Sequence, residues 1–339
     1  MPDGSSASID RRTALRAAAA IAGVALLSLL FIASYAGALH EPRPHEVAVA
    51  VDETVPAPIA RQLGASPSLK VEAVSGRAEA LEKIDRREAY GALVGSPSGR
   101  LALFVAPAAS AAIADFLAAE IPKQLRSARV PVAVRTVHPL PASDTRGLVG
   151  FYTVIGWAIA GYLGATLLGL VFGTDPSRAR IAWRFAALGA LGIVVGLGGA
   201  AIATAIAGYD HGFGKLVLIG LLTVLATGAV TVALQSLLGI LGTGVAILLF
   251  VVFGNPAAGG PYASELLPGI WRDGGQLIPT GAATTAVRNA AYFPQAPIWL
   301  PLLCLAIWIV GGVVVALVFA GRGRRLSRAE SEASMAGVG

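Results

Sequence analysis

Cysteine is nearly absent from this chain. Cys304 is the one cysteine in 339 residues, and it lies inside an apolar run, which excludes a disulfide framework and a cysteine-built metal site. Charge is scarce as well, at 14% of residues, where an ordinary soluble domain carries about 25%. Lysine hardly contributes: 22 of the 26 basic residues are arginine, so the net charge of +6 is an arginine charge. Those arginines cluster beside apolar runs rather than on a soluble face, which argues against a nucleic-acid partner.

Catalytic signatures are missing too. No G-x-S-x-G elbow occurs, and the cores of the apolar runs hold no Asp, Glu, Lys or His that could relay a proton or act as a buried base. The nearest approach to a phosphate loop, GYDHGFGKL at 208–216, has the wrong spacing and places Leu216 where Ser or Thr would bind magnesium. His40 and His45 flank EPRP without the further ligands that a metal needs. The expectation is therefore no enzyme, no cofactor, no metal and no nucleotide site.

What is present is apolarity. With 55% hydrophobic residues the composition is that of an integral membrane protein, and a span needs about 20 apolar residues to cross a hydrocarbon core of ~30 Å. Six stretches qualify: 17–39, 148–173, 183–207, 215–234, 236–253 and 298–320. The fourth and fifth are nearly continuous and are read as a tight helical hairpin. The apolar run of the first is longer than a signal peptide's and lacks a small-x-small cleavage site, so it reads as an uncleaved anchor.

Arginines orient the spans. Arg11, Arg12 and Arg16 precede the first, Arg178, Arg180 and Arg184 are read as lying between the second and third, and Arg322, Arg324, Arg325 and Arg328 follow the last. By the positive-inside rule these sites share the cytoplasmic side when six spans alternate. That makes 1–16 a cytoplasmic N-terminus and 321–339 a cytoplasmic basic tail, in a multi-pass protein of a bacterial inner membrane.

The stretch 40–147 then lies outside. Its charges nearly cancel, and VAVAV (47–51) and LKVEAV (69–74) read as strands. GRAEALEKIDRREA (76–89) puts Ala80, Leu81 and Ile84 on one helical face. YGALVG and RLALFVA read as a strand pair across the turn SPSG, followed by a helix over 110–126 and a closing strand VPVAVRTV. The expected fold class is a mainly α membrane protein: six transmembrane helices with an extracytoplasmic α/β domain inserted between the first and second.

Two further patterns invite a role. GLVFG (Gly169, Gly173) and GIVVG (Gly192, Gly196) are spaced for close helix approach, within the chain or across a dimer, or else reflect the 41 glycines of the chain. The stretch GNPAAGGPYASELLPGIWRDGGQLIPTGAATTAVRNAAYF, 254–293, has four prolines, seven glycines and the charges Glu265, Arg272, Asp273 and Arg288. It suits neither a span nor a soluble domain.

An anchor span followed by FIASYAGALHEPRPHEVAVAV, a domain containing REAYGALV, and five spans with the GNP…LP…R…P.G…RN run before the last together resemble the ABC-2-type exporter permeases. Within that superfamily the chain is most similar to the bacterial phage-infection-protein group. The resemblance implies an exporter permease subunit that moves a hydrophobic or amphiphilic substrate and is energised by a separate ABC ATPase. Its implied partners are a second copy or a related permease, together with membrane lipids. It further implies that 254–297 dips into the outer leaflet as a re-entrant cap, broken at Asn255–Pro256 and Leu267–Pro268. Glu265, Arg272, Asp273 and Arg288 would then lie near the outer interface, where Arg272, Asp273 and Arg288 would pair or hold lipid head groups. The loop GTDPSRARIAW would be the coupling helix, with Asp175 and Pro176 at its start and Arg178 and Arg180 exposed. The alternatives are an ordinary external loop for 254–297, and a membrane scaffold or surface receptor whose external domain binds a partner.

Overall fold

The computed structural model describes residues 10–96, 100–126, 130–173 and 177–320. Among them, five helices are long and apolar enough to cross a membrane: α1 (Arg11–Leu39), α5 (Val149–Phe172), α6 (Arg178–Ala207), α7 (Phe213–Leu238) and α12 (Trp299–Phe319). The chain is thus mainly helical, in keeping with a membrane-embedded protein. The SPSG turn, Asp175 and Pro176 of the coupling loop, and the basic tail fall largely or wholly outside the described residues.

The fifth expected span is displaced along the chain from 236–253. The hairpin break falls at Gly239, whose φ of +60° is a left-handed value that glycine adopts without strain. Ser236 to Leu238 therefore extend α7, and an apolar helix covers only Leu241–Ala257. It is built from α8 (Leu241–Ile247), a π-helical stretch Leu248–Gly254 and α9 (Asn255–Ala257). At ~1.5 Å per residue its length is about 25 Å, somewhat less than a ~30 Å hydrocarbon core. The break expected at Asn255–Pro256 is absent, since Asn255 is helical (φ −67°, ψ −52°) and the widened π turns lead directly into Pro256. The chain leaves the helix at Gly259, at φ +78°.

α7 is the centre of the helical part. Of its most apolar window 72% is buried, against 6% for α1, because α5, α6 and α12 all pack on it. Small residues permit this closeness. Side chains at Gly192 and Gly196 of α6 would press on Leu221 and the Val217 carbonyl of α7, and one at Gly169 of α5 would meet the Gln235 amide. Gly173 makes no such packing contact and ends α5 at φ +83°. Gly169, Gly192 and Gly196 therefore pack onto α7 within the chain.

Residues 47–136 fold around a five-stranded sheet of order β2-β1-β3-β4-β5, with β1 (Val47–Asp52), β2 (Leu69–Val74), β3 (Gly91–Gly95), β4 (Leu101–Val105) and β5 (Val132–Thr136). β3 and β4 pair antiparallel and the other neighbours parallel. The alternation in VAVAV sends Val47, Val49 and Val51 to a face covered by α2 (Ala57–Gly64) and α4 (Ala111–Leu125), where they meet Ile59, Leu63, Ile113 and Leu117. Each such side chain contributes about 1.5–3 kcal/mol on full burial. The opposite face, with Ala50, Ala92 and Phe104, packs on α3 (Arg77–Asp85) and on Phe293 and Ala296.

Those last two residues belong to the stretch 254–297, which holds the sheet against the helices. It contains the 3-10 turn Ser264–Leu266, α10 (Gly269–Gly275) and α11 (Pro279–Tyr292). Ala263 and Leu266 enter the first sheet core, and the Arg43 and His45 amides donate to the Leu266 and Glu265 carbonyls at 3.1 and 2.9 Å. On the helical side, Val287 and Ala290 pack with Trp157 and Leu216. Trp271 donates to Ser34 of α1 at 3.2 Å and lies against Gly37. The segment expected as an outer cap or an external loop thus joins the sheet to the helices.

Candidate functional site

At that joint lies a cavity of about 820 Å³, within the ~300–1,000 Å³ typical of small-molecule sites. Its two ends differ in chemistry. One is polar, with Arg87, Tyr90, Glu265, Arg288 and Asn289; the other is apolar and formed by α12 through Leu300, Leu303 and Ile307. Those three α12 side chains also belong to the exposed apolar surface of the helices.

Each polar residue is held for an identifiable reason. Arg87 follows α3 at φ +56°, a left-handed turn at a helix end that ordinarily takes Gly or Asn, and a bulky side chain there costs of order 1–3 kcal/mol of strain. The turn brings Arg87 Nη1 onto Asn289 Oδ1 of α11 and its guanidinium 5.8 Å from the centre of the Phe293 ring. Its Nε is buried without a hydrogen-bond partner. Burial, and then the positive charge of Arg288, bring the Arg87 guanidinium down to about 10, still charged at neutral pH.

Tyr90 donates to Glu265 Oε2 at 2.8 Å, and Ser264 donates to the same oxygen at 3.0 Å. Burial, then the charge of Glu265, raises the Tyr90 phenol, which stays a donor. Asn289 donates from its amide to the Pro297 carbonyl at 2.8 Å. The aromatic and thiol groups of α12 tie the apolar end in place, since Trp308 and Cys304 both donate to the Leu277 carbonyl, at 2.8 and 3.3 Å.

The residues singled out in sequence fall in several places. Glu265 and Arg288 line the cavity. Arg288 is buried and donates to the Gly259 and Gly260 carbonyls at 3.1 and 3.4 Å, which corrects the expectation that it pairs with Asp273 or holds lipid head groups at an interface. Arg272 and Asp273 do pair, at 2.9 Å, on an exposed part of α10. Leu267 and Pro268 are extended before α10, with Pro268 at its N-cap. Asn255 hydrogen-bonds the Tyr35 hydroxyl of α1. In the coupling loop, α6 begins at Arg178 with Ser177 as N-cap, Arg178 is exposed, and Arg180 donates to the Phe172 carbonyl at 3.2 Å.

Sequence reading missed Arg87, Tyr90 and Asn289. The signal for Arg87 was an arginine in the last turn of RAEALEKIDRREA where a glycine would end the helix. It also missed a second cluster, deep in the helices. Arg184 of α6 is fully buried, donates from Nη2 to the Ala165 carbonyl at 2.8 Å and to Gln235 Oε1, and leaves Nε and Nη1 without partners. Gln235 in turn donates to Thr243 at 3.0 Å. Among the described residues no group of three or more His, Cys, Asp and Glu is placed to hold a metal.

No protein-family model matches this chain, and neither a curated protein nor a solved structure matches it.

Proposed function

We propose that this protein is an exporter permease subunit of the ABC-2 type, one that moves an amphiphilic substrate outward across a bacterial inner membrane. The carrying observation is the cavity itself: polar at the joint with the sheet and apolar along α12, whose side chains there also belong to the exposed apolar surface of the helices. An amphiphile can enter such a cavity tail-first from a bilayer and present its head to the polar end. A scaffold that merely anchors the sheet has no need of such a cavity. Energy comes from a separate ATPase docked on the loop 173–183, and a second copy or a related permease completes the path. The nearly unburied α1 supports such pairing.

In this reading the helix Leu241–Ala257 is a sixth, short crossing, so both termini are cytoplasmic and the sheet is external. On a Cys304→Ala background, Ser68→Cys is expected to react with an impermeant thiol reagent in intact cells, and Ser177→Cys to stay protected until the cells are opened. Labelling of Ser177→Cys in intact cells overturns the orientation.

Arg178→Glu with Arg180→Glu is expected to abolish co-purification of a cognate ATPase without loss of membrane insertion. Arg178 is solvent-exposed and Arg180 only reaches back to Phe172, so reversal of their charge disturbs docking rather than packing. Retained co-purification moves the contact elsewhere. The reading as a whole is tested by ATP-dependent uptake into inside-out vesicles, with palmitate, lysophosphatidylcholine and a lipophilic dye as probes. Uptake of none of them leaves the scaffold reading in its place.

A further inference from the structure

The charges at the polar end of the cavity do not balance. Arg86 is engaged by Glu88 at 2.9 Å and by Glu82 at 3.7 Å, and Glu88 also pairs with Lys83 at 3.3 Å. Glu88 and Glu265 are the acidic residues among the cavity's described lining, so Arg87 and Arg288 together have Glu265 to offset them. Two guanidinium charges against one carboxylate leave one positive charge in a largely desolvated place, where an uncompensated charge is unfavourable. Arg288 spends its Nη donors on two backbone carbonyls. Arg87 donates from Nη1 to Asn289 Oδ1, its Nε is buried and unpartnered, and it is held there by a backbone turn that disfavours a side chain of its size.

We propose that the cavity binds a single-chain amphiphile bearing one negative charge, its carboxylate at Arg87 and its alkyl chain along Leu300, Leu303 and Ile307. A carboxylate supplies the missing charge and accepts from the guanidinium edge in the short, charge-assisted geometry these groups favour. Tyr90 and Ser264 both donate to Glu265 Oε2 and hold that acid in place. The chain of the ligand covers the exposed apolar side chains of α12, and each methylene it buries adds to the affinity. As a substrate class this rests on the exporter reading; as a binding site it stands on the geometry alone.

The test is equilibrium binding of radiolabelled palmitate to the full-length protein in phosphatidylcholine nanodiscs. Saturable binding of one palmitate per chain is expected, unaffected by excess methyl palmitate, which carries the same chain without the charge. Arg87→Asn suits the left-handed turn and removes the charge, and is expected to weaken binding at least tenfold. Leu303→Trp, which fills the apolar end and leaves the polar end alone, is expected to weaken it several-fold, while Arg272→Asn, outside the cavity, changes nothing. Non-saturable binding, equal competition by methyl palmitate, or unchanged affinity in Arg87→Asn overturns the proposal. Displacement of palmitate by phosphatidylglycerol in the disc overturns it in favour of a bilayer lipid. Should Arg87→Asn fail to remain monodisperse, Leu303→Trp and the methyl ester decide. Binding without vesicle uptake of any probe sinks the exporter reading and leaves the site standing; uptake without palmitate binding does the reverse.

Discussion

Gln235→Leu is expected to be among the most destabilising single substitutions in the helical part. Arg184 is fully buried, and its bonds are to the Ala165 carbonyl and to Gln235 Oε1. Removal of the Gln235 amide leaves a buried guanidinium with one acceptor and two further nitrogens already unpartnered. Loss of one partner of a buried charge costs about 3–5 kcal/mol. Thr243 loses its donor from Gln235 as well, which loosens the start of α8 against the end of α7. The measurement is thermal stability of the detergent-purified protein by size-exclusion fluorescence, where a fall of roughly 5–10 °C is expected. Arg184→Met combined with Gln235→Leu removes the charge together with its acceptor and should recover at least half of that loss. A double variant no more stable than Gln235→Leu alone shows that the loss comes from packing against Gly169 and not from the stranded charge.

This pair also shows where sequence reading stops. The strands were legible because VAVAV and LKVEAV combine β-branched residues with alternation, and the long helices because their apolar runs exceed the length of a span. Arg184 was visible only as one more arginine in a positive-inside cluster. Nothing local says that it turns inward while Arg178 and Arg180 stay out; its place is fixed by α7, whose Gln235 is 51 residues away. The helix α2 was missed because PAPIARQLG opens on two prolines that resemble a loop, although proline is favoured in a first helical turn. The fifth span was placed about four residues too early because apolarity does not reveal a break at Gly239 or a π-helical stretch that runs on into Pro256.

The candidate cavity was half legible for a similar reason. Glu265 and Arg288 were singled out because charge is conspicuous in an apolar neighbourhood, and that signal carries no direction. Whether such a charge faces an interface or a cavity depends on what packs over it, and here the cover comes from α3 and the sheet. Arg87 meets Asn289 across 202 residues of sequence, a contact that hydrophobic periodicity cannot show.

The glycines of the joint give the last large effect. Gly281→Ala is expected to destabilise the protein by about 1–3 kcal/mol or more through overpacking, and to reduce palmitate binding, although alanine is the better helix former by nearly 1 kcal/mol. A Cβ at Gly281 would drive into the Gly275 carbonyl, and one at Gly275 into the carbonyl of Ala257. The three backbones are stacked so that α9, the end of α10 and the start of α11 touch directly, and Thr280 ties the stack to the π-helical stretch through the Gly254 carbonyl at 3.0 Å. Both obstructing atoms are backbone oxygens, which no rotamer change can move aside. Relief requires α11 to shift, and α11 carries Arg288 and Asn289 into the cavity and Phe293 beneath the sheet. Gly269→Ala is the matched control: its Cβ would meet Arg272 and Asp273 side-chain atoms at 3.6 and 3.9 Å, ordinary contact distances, so stability and binding should both hold. Equal behaviour of the two alanine variants would show that the Gly275–Gly281 contact yields without moving α11, and that the cavity does not depend on the joint.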